Sequence, residues 1–556
     1  MGTESEVLFQ KGIANFKIKN FIVAEKCFEE LNNIHPNNKD ILKNLSLCYF
    51  QNNKFHKCEE IIKTMFDLGY KEKKLIEYLL LVLKKQDKAQ EILKIIFQEK
   101  NNIDEKYQLL EKFERAAIPM DNEEIEGYRS DSLKKIKTAL LDNNLKLGID
   151  KQFLDPPLFY YSYDKKNNLE LAQNLNKLFK NTYYELNQTI KIRNFKNEKI
   201  KIGFISEFFG KHTISKLFKG LIFNLDNSLF EKKIFYLDNN KEIDKEFIDN
   251  EKLNNVKNLR LPELFNEKVN FILSQNLDII FYPDIGMSTQ LYYLTFLRLA
   301  KHQITSWGHP ETTGNPNIDY FLSSKLLEIN IDKAQKHYSE KLLLSDYLPM
   351  YYSRPKINKI NDSNLTSNKI YSCPQTLFKL HPDFDEIIYK ILKEDKKANF
   401  YLIKGKEISF GKKIYNRLLK KIPNQIDRIH FLDKMSTEEY INHCGRASVL
   451  LDPLYFGAGN SFHESMFYGT QTVTMPTEFM RSKIVEGAYK QMKIEKPPVV
   501  KNINEYISLT IEIANVEKKK MLETKKYFSE QAEKNLFEND DALKSFQEKL
   551  LEIANK

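Results

Sequence analysis

The stretch VLLDPLYFGAGNSFHESMFYGTQTVTMP, Val449 to Pro476, sets an apolar run, a Gly-Ala-Gly turn, a polar-led helical run and a second apolar run in immediate succession. Gly457, Ala458 and Gly459 let the chain turn without Cβ crowding, and Ser461 with Glu464 has the S-x-x-E spacing of a helix capping box. The start of such a helix carries unpaired backbone N–H groups at the positive end of its dipole, an arrangement that favours a phosphate group. Asn460 and Ser461 add short side-chain donors at the same spot. The run is neither GxGxxG nor GxxxxGK[ST], so it lacks the signature of an NAD site or a P-loop.

A second group lies upstream. SCPQTLFKLHPDFDEIIYKIL puts Gln375 and Lys379 after an apolar strand-like run and before a helix opened by Pro382. A lysine there can reach an anion held at a neighbouring strand's turn when both loops share one sheet edge. The D-x-D of Asp383 and Asp385 follows Pro382 at the helix start, where aspartate is favoured, and reads as capping. SEFFGKHTISKLF sets His212 in a loop after another apolar run, where a near-neutral imidazole suits general-base work. The competing role for a loop histidine is to orient neighbours by hydrogen bonding. The remaining histidines show no HxxxH or HExxH spacing, and five cysteines without CxxC pairs support neither a zinc site nor a disulfide framework. Arg481 reads as a surface helix charge, with contact to a phosphate or an acceptor as the alternative.

The elements that must position these residues fall into blocks. From Val7 to about Leu141 the pattern is helical, with apolar residues at three- and four-residue spacing. Aligning GIANFKIKNFIVAEKCFEELNNIHP with SLCYFQNNKFHKCEEIIKTMFDLGY at an offset of 34 residues places Gly12 over Ser46, Phe16 over Phe50, Phe21 over Phe55 and Ala24 over Cys58. Small and aromatic residues recur in register, as in tetratricopeptide repeats, with a degenerate third unit over 72–105. After Glu198 short apolar runs alternate with helical ones: 201–207, 233–238, 277–284, 303–308, 318–324 and 341–346, then, past the polar NKINDSNLTSNK, 369–375, 399–405, 428–434, 448–454 and 472–476. Such alternation implies βαβ units and parallel sheets, whose ligands bind beyond the carboxyl ends of the strands. The expected organisation is helical repeats over 1–150, a helical linker over 151–198, Rossmann-like halves over 199–357 and 370–503 joined by a linker at 358–369, and C-terminal helices over 504–556.

At 556 residues with 42% apolar content, the chain can bury the three to four cores this division needs. Its net charge of +10 comes from lysines dispersed along the chain, without a basic stripe or an RRM or zinc-finger signature, so no nucleic-acid partner is expected. No window approaches a membrane span and the N-terminus lacks a secretory pattern, which makes a cytoplasmic protein the expectation.

The runs SWGHPETTGNPNIDYFLSS (306–324), HYSEKLLLSDYLPMYY (337–352), CPQTLFKLHPDF (373–384) and LLDPLYFGAGNSFHESMFYGTQTVTMPTEFMR (450–481) together resemble the O-GlcNAc transferase/SPINDLY group, glycosyltransferase family 41. That resemblance implies a GT-B fold, an α/β architecture of two Rossmann-like halves, preceded here by the all-α repeats. It implies an inverting enzyme without a metal or other cofactor, moving a sugar from a nucleotide-sugar donor, UDP favoured over GDP, to a polypeptide Ser, Thr or Asn delivered by the repeats. By position, Lys379 becomes the diphosphate-binding lysine with Gln375 beside the donor. Gly459, Asn460 and Ser461 fall at the diphosphate turn, Glu464 at the ribose, and His309, Thr313 and Gly314 in the loop over the transferred sugar. Thr437 and Tyr440 stand at the nucleobase, where animal enzymes carry a lysine and a histidine, and His212 matches a histidine considered as a base. A further histidine of the family is missing from PPLFYYSYDKK (156–166). A glycan or small-molecule acceptor, a catalytically inactive scaffold and homo-oligomerisation stay open at this stage.

Overall fold

The computed structural model describes residues 3–142, 144–151, 153–192, 195–210, 212–237, 249, 256–328, 330–358, 369–405 and 407–556. The chain forms two compact units, Met1–Ile118 with Lys406–Lys413, and Pro119–Gly405 with Ile414–Lys556.

The first unit consists of helix pairs: Thr3–Lys17 with Phe21–Ile34, Lys39–Gln51 with Phe55–Asp67, and Lys73–Lys85 with Ala89–Glu99. The aligned small residues sit where helices cross. A Cβ at Gly12 would lie 2.8 Å from the Phe28 ring, and Ala24, Ser46 and Cys58 are all buried. The aligned aromatics meet edge to face, Phe16 on Phe21 and Phe50 on Phe55. Two features carry the period into the third pair, whose small and aromatic positions are lost. Lys19, Asn53 and Asp87, spaced by 34, close the three turns with φ of 62°, 59° and 57°. Buried Glu25 accepts from Lys54 Nζ and Asn52 Nδ2, and buried Glu59 accepts from Lys88 Nζ and Gln86 Nε2 one period later.

The second unit opens with helices Asn122–Leu141 and Leu169–Thr182. Two sheets follow. The first contains β1 (Ile200–Ser206), β2 (Phe230–Tyr236), β3 (Val256–Arg260), β4 (Ile279–Tyr282), β5 (His302–Ser306), β6 (Tyr320–Ser324) and β7 (Lys341–Ser345), in spatial order 3-2-1-4-5-6-7 and parallel throughout. The second contains β8 (Ile370–Cys373), β9 (Asn399–Ile403), β10 (Ile429–Leu432), β11 (Val449–Leu451) and β12 (Thr472–Val473), in order 10-9-8-11-12 and again parallel. Central strands such as β4 and β6 are buried along their whole length, as sheets covered on both faces require. β3 is absent from the sequence reading because VKNLR, at the sheet edge, buries only its first residue. Of the linker expected at 358–369, residues 359–368 lie outside the described residues.

Strand order reverses beside β1, which lies between β2 and β4, and beside β8, which lies between β9 and β11. These switch points open crevices at the carboxyl ends of β1 and β4 and of β8 and β11, the positions at which doubly wound sheets bind ligands. After the second sheet the chain returns. In helix Lys518–Asn535 the Lys525 ammonium caps Gly445 O and Ala447 O, and helix Asp540–Ala554 packs on the first sheet through Phe546 on Phe281. Among the described residues no helix is long and apolar enough to cross a membrane.

Candidate functional site

A cavity of about 450 Å³ lies where loops from both switch points meet. The first sheet contributes His212 after β1, Met287 after β4 and Trp307 to Pro310 after β5. The second contributes Pro374 to Thr376, Phe378 and Lys379 after β8, and Gly459 to Ser461 and Glu464 after β11. Phe159 and Tyr163, from PPLFYYSYDKK, complete the wall.

Lys379 ends a short turn of 3-10 helix, Leu377–Lys379. Its ammonium donates to Gly457 O at 2.9 Å and Gln375 Oε1 at 3.3 Å, and it lies 4.8 Å from the centre of the Phe456 ring. Desolvation holds Lys379 below the ordinary lysine range, opposed by the charge of Asp452. Asp452, at the end of β11, is 2% exposed and was not singled out in the sequence. Its carboxylate accepts from Ala458 N–H at 2.6 Å and Thr474 Oγ1 at 2.7 Å, so it shapes the glycine turn from beneath. A Cβ at Gly457 would stand 2.9 Å from Asp452 Oδ2, which accounts for the first glycine. Burial raises the Asp452 pKa.

The capping box expected from Ser461 and Glu464 does not form. The helix runs Asn460–Ser465, with Gly459 at the N-cap and no side-chain cap. Ser461 Oγ instead accepts from Gln375 Nε2 at 2.6 Å, and Glu464 Oε1 accepts from Lys216 Nζ at 2.6 Å. A partner from another loop or the other sheet displaces the local one in each case. Asn460 Oδ1 accepts from Tyr352 OH at 2.7 Å. Lys379, Gln375, Asn460 and Ser461 thus line one space and are held there by hydrogen bonds among themselves and to Tyr352.

Of the loop GHPETTG, only Gly308, His309 and Pro310 line the cavity. Thr313 is buried and donates its N–H to Glu340 at 2.7 Å; Gly314, at φ 67°, presses against the backbone of Ala172. Both anchor the loop from outside the cavity. His309 stacks on Phe159, with ring centres 5.8 Å apart, and its Nε2 finds no hydrogen-bond partner among the described residues. Burial, aided by the charge of Arg481, pushes His309 down to about 4, so the ring is neutral. Tyr440 lines the cavity and donates to Pro374 O, whereas Thr437 is exposed at the first turn of helix Thr437–Arg446 and does not line it.

His212 is the N-cap of helix Thr213–Asn224: its Nδ1 accepts from Ile214 N–H at 3.2 Å. In the neutral imidazole that bond leaves the proton on Nε2. Asp383 and Asp385 depart from the capping reading. Asp383 makes no cap hydrogen bond; its carboxylate takes Asn122 Nδ2, Tyr455 OH and Lys165 Nζ, and Asp385 is paired in a fork with Arg417. Burial alone would raise Asp383, but these donors outweigh it and hold it at about 2. Arg481 is no surface charge. It is buried and pairs with Glu311 at 3.0 Å while donating to Asp164 O and Lys166 O.

Two doubly wound parallel sheets facing one cavity, with the tail returning to the first sheet, define the GT-B class. Within that class, the chain is similar to O-GlcNAc transferase and SPINDLY proteins. It aligns over 99% of its length, and 97% of the other chain, with the structure of an O-GlcNAc transferase from Thermobaculum terrenum, at TM-score 0.69 and 14% identity. In sequence it is 24% identical over 274 residues to the UDP-glucose:protein N-beta-glucosyltransferase of Actinobacillus pleuropneumoniae, covering 48% of this chain and 43% of that protein. It is 22% identical over 225 residues to a probable UDP-N-acetylglucosamine–peptide N-acetylglucosaminyltransferase SPINDLY of Petunia hybrida, covering 39% of this chain and 24% of that protein. The chain thus spans less than half the length of these curated relatives. No family model matches it.

Proposed function

We propose that the protein is an inverting glycosyltransferase that moves a sugar from a UDP-sugar to a polypeptide side chain. The observation that carries this reading is the convergence of Lys379, Gln375, Asn460 and Ser461 on one cavity at the meeting of two switch points. In such a transfer the acceptor attacks the anomeric carbon as the bond to the diphosphate breaks, and negative charge grows on the leaving oxygens. Fixed donors in a partly dry site stabilise that charge with little reorganisation. The Lys379 ammonium has three protons and gives two to neutral acceptors, so one N–H remains for a phosphate oxygen. The Ser461 hydroxyl, whose oxygen accepts from Gln375 and which also hydrogen-bonds the Tyr440 phenol, stands beside it on the same wall. Lys379 thereby supplies a cationic role that a divalent ion fills in other transferases.

The sugar lies toward His309 and Phe159 in this reading. His309, neutral and with an unpartnered nitrogen, offers a hydroxyl a partner, and Phe159 offers an apolar face. His212, which lines the cavity and has its Nδ1 occupied by Ile214 N–H, serves to orient sugar or acceptor rather than as the base. Names of relatives support the donor and acceptor classes: one is a UDP-glucose:protein N-beta-glucosyltransferase, another a UDP-N-acetylglucosamine–peptide transferase. The longer match favours asparagine as acceptor and glucose as sugar, and the helical repeats suit polypeptide capture. The test is consumption of UDP-glucose, UDP-GlcNAc and GDP-sugars by the purified protein, with site mapping by mass spectrometry on a co-expressed acceptor. Release of UDP with a hexose added to asparagine is expected. Failure to consume or bind any nucleotide sugar refutes the reading.

A further inference from the structure

We propose that Tyr352 is a positioning residue of the donor site: its phenol fixes the Asn460 side-chain amide so that the Nδ2 amino group, not the carbonyl, is presented to the cavity. The inference rests on the reading of this cavity as a nucleotide-sugar site. Tyr352 lies past the first sheet, in the segment leading toward β8, and is 3% exposed. Its ring stacks on His463, with centres 5.2 Å apart at 25°, and packs against Phe537 of the returning tail. Its carbonyl accepts from Glu538 N–H at 2.9 Å. The phenol therefore has a fixed origin, set by the second sheet's short helix and by the tail.

A phenol has one proton to give, and two acceptors stand near it: Asn460 Oδ1 at 2.7 Å and Glu464 Oε1 at 3.5 Å. The carboxylate is already served by Lys216 Nζ at 2.6 Å, so the shorter bond to the amide takes the proton. Burial, followed by the charge of Glu464, pushes the phenol well above its ordinary range, which keeps it a donor at neutral pH. With Oδ1 tied down, the opposite end of the amide is the amino group. Asn460 and Ser461 lie side by side on the cavity wall. The neighbouring Ser461 is likewise held, its hydroxyl oxygen accepting from Gln375 Nε2 at 2.6 Å. The amide ends are nearly equal in size, so nothing steric selects between them; a turned amide would aim a carbonyl oxygen at the diphosphate.

The experiment is calorimetric titration of the full chain with UDP and, separately, uridine, for wild type, Tyr352→Phe, Asn460→Ala and the double variant, with a melting midpoint for each. Tyr352→Phe keeps the ring and its stacking. It is expected to weaken UDP about three- to tenfold, the scale of one hydrogen bond, and to leave uridine within about twofold. In the Asn460→Ala background the same change should weaken UDP no further. Wild-type UDP affinity in Tyr352→Phe, equal weakening of UDP and uridine, or an undiminished effect in the Asn460→Ala background each overturns the inference. Lys379→Met separates the two levels: if it leaves UDP binding intact, the donor-site reading itself fails, whereas loss in Lys379→Met with no effect of Tyr352→Phe removes only the role of Tyr352.

Discussion

Replacing Lys379 by methionine removes the charge and keeps most of the stem. In the free protein the ammonium makes two bonds to neutral oxygens, Gly457 O and Gln375 Oε1, and is partly desolvated. With a diphosphate bound, its remaining N–H makes one charge-assisted bond, a contribution of about 1.5–3 kcal/mol, or roughly ten- to hundredfold in affinity. The loss in turnover is larger, about 10²–10³, because charge on the leaving oxygens is greatest in the transition state. Stability moves less. Methionine sheds the desolvation penalty but leaves Gly457 O and Gln375 Oε1 without this donor, while the Asp452 carboxyl keeps Ala458 N–H and Thr474 Oγ1, so the effects oppose and the melting midpoint should shift little. UDP calorimetry, donor-consumption rate and differential scanning calorimetry on the same preparation read all three quantities. Unchanged UDP affinity refutes the phosphate assignment. A midpoint that collapses together with affinity shows instead that the lysine is needed for the turn.

Arg481→Met should lower the urea midpoint by the equivalent of about 3–5 kcal/mol, because it leaves the buried carboxylate of Glu311 with only the neutral donors Asn168 Nδ2 and Thr312 N–H; an unchanged midpoint contradicts the buried pair. UDP affinity should fall as pH rises. Only protonated Lys379 holds the anion, and its pKa lies below that of an ordinary lysine, so the decline begins at lower pH than ordinary lysine titration would give; constant affinity between about pH 6 and 10 sinks this. His212→Asn keeps an acceptor for Ile214 N–H and should cost turnover less than about tenfold, whereas loss of a general base costs about 10²–10⁴, so a hundredfold drop with loss of the acid limb of the pH profile restores His212 as the base.

The sequence made the strand runs and the loops after them legible because apolar runs of strand length and glycine turns are local features. It placed His212, Gln375, Lys379, Gly459 to Ser461 and Glu464 in loops that the topology then brings to one cavity. What it missed depends on contacts across long separations. Asp452 looked like the last residue of a strand until Ala458 and Thr474 closed on it. Tyr352 and Phe159 are aromatic residues in a chain with many, and nothing in their spacing marks them as neighbours of Asn460 and His309. The failed capping box teaches the same point. S-x-x-E is a local preference worth about 1 kcal/mol, and two tertiary partners, Gln375 and Lys216, outbid it. Thr437, the exposed first residue of its helix, stands outside the cavity lining.

The cavity needs groups from two sheets held in register to within an ångström or less, and neither sheet's own core can provide that. An apolar seam joins them: Ala458, Phe462, Met466 and Tyr489 belong to the same buried cluster as Phe204, Phe281 and Trp307. Apolar burial is non-directional and fixes contact without fixing register. Register comes from polar bonds that cross the seam, Glu311 of the His309 loop to Arg481, Lys216 to the cavity-lining Glu464, and Tyr352 to Asn460 at the cavity wall. Each is directional, and each has at least one buried member for which a lost partner is costly. The placement of Lys379 and His309 on one cavity therefore depends on such bonds as well as on the seam, and a substitution in any of them should disturb transfer more than it disturbs the strand pairing of either sheet.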